Sequence, residues 1–142
     1  MENTLSGCTV SIHFLEGELM AVPVILLVDD ERAYAKVIKE ALERIGVRVH
    51  LAHDAMEALN MYSEVSPDLI LLDVMMPDMD GLSLLRWLRE HSEKDGVPIH
   101  VVSAKSQQAD RDAALSAGAN GFLAKPFTVE ELRSVIGQYV EL

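Results

Sequence analysis

Val24-Ile25-Leu26-Leu27-Val28-Asp29-Asp30 is an unbroken aliphatic run closed by two acids. No polar residue interrupts it, so it reads as a strand covered on both faces. Tyr34, Val37, Ile38, Ala41, Leu42 and Ile45 then recur at helical spacing, and Gly46 supplies a stop. The same unit returns along the chain. Val47, Val49 and Leu51 alternate with polar residues, as in a strand with one more exposed face. Asp54 and Glu57 form a capping-box-like start to a helix carrying Ala55, Ala58, Leu59 and Tyr62. A second aliphatic run, Leu69 to Leu72, ends in Asp73, and the turn-rich Pro77-Asp78-Met79-Asp80-Gly81 leads into a helix with Leu84, Leu85 and Leu88. Ile99, Val101 and Val102 form a strand ending at Ser103. Ala109, Ala113, Ala114 and Ala117 give a weakly amphipathic helix that Gly118 stops. Phe122 to Ala124 is the last strand, ending at Lys125-Pro126. Thr128, with Glu131 reaching back, caps a final helix whose buried face is Leu132, Val135, Ile136, Tyr139 and Val140.

Five strand-helix cycles of this kind predict an α/β fold, a five-stranded parallel sheet with helices on both faces. Such sheets gather their chemistry at the carboxyl ends of strands. Asp29, Asp30, Asp73, Ser103 and Lys125 all stand at predicted strand ends. Residues 1–22 lie outside the alternation as an N-terminal extension, and residues 23–142 hold the whole of it. Within the extension, Val10, Ile12 and Phe14 alternate with Thr9, Ser11 and His13, a period-2 pattern. A tail and an extra strand pairing with a sheet edge are both open, as is a start at Met20.

A chain of 142 residues fits one domain. The net charge of -11 argues against direct nucleic-acid binding and against anionic membranes, since no basic surface is on offer. The single cysteine, Cys8, forbids an intrachain disulfide. With no signal-peptide pattern and no apolar stretch near 20 residues, it places the expectation in the cytoplasm.

Two neighbouring acids at one strand end and a third at another would converge in one pocket. At about 4 Å and an effective dielectric near 20, each like-charge pair costs about 4 kcal/mol. Such a cluster needs a cation, a proton shift or a partner lysine, and its hard oxygens suit magnesium. The plainer role of Asp29 and Asp30 is to cap the following helix. Asp73, after a buried run, could act as a nucleophile toward phosphorus and form an acyl phosphate. Lys125 could neutralise the phosphoryl oxygens, aimed by a rigid turn at Pro126, cis or trans. Ser103 offers a hydroxyl to the same group; taken alone, it reads better as a helix cap.

The combination of Val24 to Asp30, Asp73-Val74-Met75-Met76-Pro77-Asp78-Met79-Asp80-Gly81, Ser103-Ala104 and Lys125-Pro126-Phe127 resembles the response-regulator receiver signature of two-component signalling. The resemblance runs in order and spacing from Val24 to the C-terminus. It implies a flavodoxin-like sheet with strand order 2-1-3-4-5 and Asp73 as phosphoacceptor. Asp29, Asp30, Asp73 and the backbone carbonyl of Met75 would hold Mg2+. Ser103, the Ala104 amide and Lys125 would bind the phosphoryl group, and Phe122 would be the switch aromatic. The implied protein is a signalling domain, not an enzyme, that assists its own phosphorylation and dephosphorylation. Its implied partners are a sensor histidine kinase or histidine phosphotransfer protein and a downstream target protein, with a homodimer left open. Phosphorylation would remodel the face of the fourth helix, fifth strand and fifth helix. The chain ends with that helix, so a stand-alone receiver, effector or phosphorelay intermediate, is expected.

Ser103 replaces the family's frequent threonine and Phe122 its frequent tyrosine, so the hydroxyl rotamer is freer and no phenolic hydrogen bond holds the switched state. Met75 cannot polarise an attacking water, and with Lys105 it occupies a position that tunes dephosphorylation in the family; slow self-dephosphorylation is expected. A phosphatase with an aspartyl nucleophile would want an acid where Met75 stands. A flavodoxin-like nucleotide binder needs a small-residue phosphate loop where Asp29-Asp30-Glu31-Arg32 stands. A docking module independent of phosphorylation would not need the full acid-hydroxyl-lysine set. His50, His53 and His100 read as partly exposed or satisfied residues, Met56, Met61, Met75, Met76 and Met79 as core or turn filler, and Trp87 as semi-exposed.

Overall fold

In a computed structural model of the chain, which describes residues 2–5, 8–15, 18–76, 79–91 and 96–142, the aliphatic runs become parallel strands. Glu2–Leu5 (β1), Cys8–Leu15 (β2) and Glu18–Ala21 (β3) form a separate antiparallel meander, with β2 between the other two. The period-2 stretch of the extension lies in β2. It pairs inside this small sheet, while β4 (Val24–Val28) opens the alternation. Then follow α1 (Arg32–Arg44), β5 (Arg48–Ala52), α2 (Ala55–Val65) and β6 (Leu69–Asp73). A two-stranded ribbon, β7 (Met75–Met76) and β8 (Met79–Asp80), precedes α3 (Gly81–His91). The Pro77-Asp78 part of the turn expected there, and the Met79 side chain, lie outside the described residues. The chain closes with β9 (Ile99–Ser103), α4 (Gln108–Ser116), β10 (Gly121–Ala124) and α5 (Val129–Gly137).

The main sheet runs β5-β4-β6-β9-β10 with every pairing parallel, which is the order 2-1-3-4-5 among its own strands. The unbroken aliphatic character of β4 and β6 has a direct cause: both faces are covered. Leu26, Val28, Ile70, Leu72, Ile99 and Val101 pack with Leu84, Leu85 and Leu88 of α3 and Ala114 of α4. Ile25, Leu27, Leu69 and Leu71 point the other way, onto Ile38 and Leu42 of α1 and Leu132 and Ile136 of α5.

Capping explains most helix boundaries. Asp54 accepts from the Glu57 amide at 2.8 Å, while Glu57 reaches one residue further back, to the His53 amide. Thr128 and Glu131 close a reciprocal capping box on α5. Gly46 and Gly118 stop α1 and α4 at φ of +101° and +112°, a conformation that a Cβ disfavours. Three expectations need correction. Val37 belongs to the outer face of α1, 62% exposed, because Ala35, Ile38 and Leu42 already fill the sheet side. Met56 and Met75 are exposed, at 67% and 51%, not core or turn filler. Tyr139 and Val140 lie just beyond α5, half-buried, since the helix ends at Gly137.

Candidate functional site

The carboxyl ends of β4, β6, β9 and β10 bring the acids, the hydroxyl and the lysine to one rim of the sheet. In-register pairing sets the depth: Asp73 lies opposite Val102, and Ser103, one residue further, lies opposite Ala124. The Lys125 amide continues that ladder to the Ser103 carbonyl at 2.9 Å, so the lysine leaves the sheet at site level. The Lys125–Pro126 bond is cis.

Lys125 Nζ donates to Asp29 Oδ2 at 2.9 Å and to Asp73 Oδ2 at 3.1 Å. All three side chains are nearly out of water, the lysine 11% exposed. The remaining carboxylate oxygens are held by backbone. Asp73 Oδ1 accepts from the Met75 amide at 2.8 Å, and Asp29 Oδ1 from the Glu31 amide at 2.9 Å. Neither Asp29 nor Asp30 is the helix cap, which falls on Glu31 without a side-chain bond. Burial alone would lower the Lys125 pKa; the hydrogen bonds and charges of Asp29 and Asp73 outweigh it and hold the ammonium above the ordinary lysine value.

Asp29, Asp30 and Asp73 each offer a carboxylate oxygen, all within 4.8 Å of one another. Three acids against one ammonium leave two negative charges to be met. An all-oxygen donor set of that charge fits a hard divalent cation. Ser103 is fully buried, and its Oγ accepts from the Lys105 amide at 3.1 Å; α4 is capped instead by Gln107 in a reciprocal box with Asp110. Ala104 is exposed beside Lys125 and Pro126. Phe122 is half-buried, with the Arg111 guanidinium 5.0 Å from its ring centre. Lys105 pairs at 3.6 Å with Asp110 on the surface, where the interaction is weak.

Two groups around the site escape sequence reasoning. His53 Nδ1 lies 3.0 Å from the Asp29 carbonyl oxygen. The Tyr34 ring lies over Lys125 Nζ, 4.7 Å from ring centre to nitrogen, and its phenol is raised in pKa by burial, which Lys125 partly offsets. Read only as part of the α1 stripe, Tyr34 gave no sign of this. The available signal is its place on the first turn of a helix that starts beside the acid pair. His100, expected to be partly exposed or satisfied, is 5% exposed: its Nδ1 meets the Tyr139 hydroxyl at 2.9 Å, and its Nε2 has no hydrogen-bonding partner among the described residues.

Fold and rim together define a domain of the flavodoxin-like class with an acid cluster at the carboxyl edge of its sheet. Residues 25–137 match the family model of the response regulator receiver domain, and the chain belongs to that family. It is 47% identical over 108 residues to the response regulator MprA of Mycobacterium avium, and 46% identical to that of Mycobacterium tuberculosis. In both cases the match covers 76% of this chain and 46% of the relative, so the chain spans about half the length of these relatives. Among solved structures, the chemotaxis protein CheY4 of Vibrio cholerae superposes with a TM-score of 0.79 at 28% identity, covering 84% of this chain and 100% of that one. The receiver domain from Bermanella marisrubri gives 0.77 at 34% identity, covering 84% and 99%.

Proposed function

We propose that residues 23–142 form a receiver unit in which Asp73 accepts a phosphoryl group from the phosphohistidine of a sensor kinase or phosphotransfer protein, in a Mg2+-dependent reaction. The observation that carries this reading is the single Lys125 ammonium bonded to both Asp29 and Asp73 inside an acid cluster. Asp29, Asp30 and Asp73, with the Met75 backbone carbonyl, would hold the ion, which when bound neutralises charge on the phosphoryl oxygens. A carboxylate oxygen of Asp73 forms a bond to phosphorus as the bond from phosphorus to the imidazole nitrogen breaks, and the freed imidazole keeps that electron pair. The Met75 amide, bonded to Oδ1, fixes the carboxylate plane for attack. Lys125 then pairs with a phosphoryl oxygen, and the Ser103 hydroxyl and Ala104 amide turn toward it. Phe122 follows Ser103 and alters the surface formed by α4, β10 and α5. Within these residues the output is that surface, offered to a target protein or to a second copy, as a single-domain regulator would do. Residues 1–22 are an extension to this unit. A cytoplasmic setting agrees with this chemistry; among the described residues no helix is long and apolar enough to cross a membrane.

Incubation with acetyl phosphate and MgCl2, read by intact mass, tests the assignment. Wild type should gain one phosphoryl group and Asp73→Asn none; equal labelling of the two would remove Asp73 from its role. Since Met75 offers no group to polarise water, the adduct should outlast a chase by far more than seconds.

A further inference from the structure

Among the described residues, the Lys125 ammonium meets Asp29 Oδ2, Asp73 Oδ2 and the face of the Tyr34 ring at 4.7 Å. The ring is itself fixed. Phe127 meets it edge-on, with centres 6.2 Å apart and planes at 64°. Tyr34 and Lys125 also share the wall of a hollow of about 220 Å³ with Glu31, Ala104 and Pro126.

The two kinds of contact hold a cation differently. A carboxylate oxygen binds an N–H along a line, so the bond to Asp73 must break when that oxygen becomes part of an acyl phosphate. A ring face attracts a cation through its quadrupole, with little preference for where on the face the charge sits. Such a face lets the ammonium slide from a carboxylate to a phosphoryl oxygen without passing into water. An aliphatic side chain of similar bulk would fill the space and offer no such attraction. We propose that Tyr34 is a positioning residue whose ring face keeps the Lys125 ammonium within reach of a phosphoryl group on Asp73. The role rests on the reading of Asp73 as phosphoacceptor.

The experiment uses the full chain with Phe, 4-fluorophenylalanine or 3,4,5-trifluorophenylalanine at position 34, beside wild type, Tyr34→Leu and Asp73→Asn. Fluorine weakens the quadrupole but keeps the ring's shape, so the series is insensitive to a merely structural role. Initial rates of labelling by acetyl phosphate with MgCl2 should stay within about twofold for Tyr34→Phe, fall with each added fluorine, and drop about tenfold for Tyr34→Leu. A second readout does not involve phosphorus: Lys125 acetylation by acetic anhydride, mapped by peptide mass, should speed up along the same series. A flat fluorine series in both readouts overturns the proposal, as does Tyr34→Phe behaving like Tyr34→Leu, which would put the hydroxyl in charge. Wild type that takes no label while the acetylation series keeps its slope would refute the phosphoacceptor reading alone, leaving the ring's hold on Lys125 standing.

Discussion

His100 makes the case for the single residue. It stands within β9 on the side of the sheet that faces α5, its ring edge-on to Tyr139 at 5.7 Å, and any Cβ at position 121 would run into it. Burial holds its pKa down to about 4. An unfolded chain takes up that proton near pH 6.5, so the unfolded state binds more protons as the pH falls. The stability it contributes is therefore complete above about pH 6.5 and is lost on the way to pH 4. Between pH 7 and pH 4, wild type should lose about 3 kcal/mol more than His100→Leu, measured by urea unfolding at both values. Equal losses would mean that the ring titrates freely. Little of this is legible in sequence, where a histidine amid aliphatic residues says nothing of a tyrosine 39 positions later. The acids, Ser103 and Lys125 are legible for the opposite reason: each ends an apolar run, and a parallel sheet sends all such ends to one rim.

At the scale of elements, Arg89 ties α3 to the turn between α4 and β10. Its Nε and Nη2 donate to the Gly118 carbonyl at 3.0 and 2.8 Å, Nη2 also to Asn120 Oδ1 at 2.7 Å, and Nη1 to the Val97 carbonyl at 2.8 Å. Asn120 Oδ1 accepts in addition from the Ile99 amide at 2.9 Å, so one side chain registers a helix, a turn and the start of β9. Hydrogen bonds with a charged donor contribute about 1.5–3 kcal/mol, and several share this one guanidinium. Arg89→Ala should cost about 3 kcal/mol in urea unfolding and speed amide exchange around Gly118 to Asn120. Arg89→Lys should recover only part of it, because a point charge cannot span that fork of carbonyls; full recovery would reduce the tie to simple charge. The helices themselves are legible from periodicity and caps. Val37 misleads because spacing marks every apolar residue near the stripe, whereas the sheet has room for three of them, Ala35, Ile38 and Leu42. Nothing in the local pattern marks Arg89, whose partners belong to other elements.

For the whole molecule, the alternation marks a parallel sheet buried on both faces, while the order of its strands is legible only through the receiver resemblance, since right-handed crossovers set the hand of each connection and not the order. The meander of β1 to β3 is less legible: its period-2 pattern spans only Thr9 to Phe14. Among the described residues, the cluster of Asp29, Asp30 and Asp73 with Lys125 carries a formal charge of -2, within a chain already at -11. Folding without a divalent ion works against that repulsion. Asp30 is the acid that Lys125 does not touch, so Asp30→Asn should relieve repulsion while sparing the ion pairs. In EDTA it should be more stable than wild type by about 1 kcal/mol. In MgCl2 wild type should gain about 2.7 kcal/mol at a hundred times its Kd, and Asp30→Asn far less. Paired thermal melts check both, and an Asp30→Asn protein that gains as much from magnesium as wild type would take Asp30 out of the ion's shell.

One ammonium serving two acids also makes the rim a junction between opposite sides of the protein. Asp29 is joined to the end of β5 and the entrance of α2, through its amide to the Ala52 carbonyl at 3.0 Å and through its carbonyl to His53. Any chemistry that draws Lys125 toward Asp73 leaves Asp29 with less of its counter-charge, and that change is delivered to the far edge strand. A spectroscopic probe on α2, remote from α4 and β10, should therefore feel the event as well.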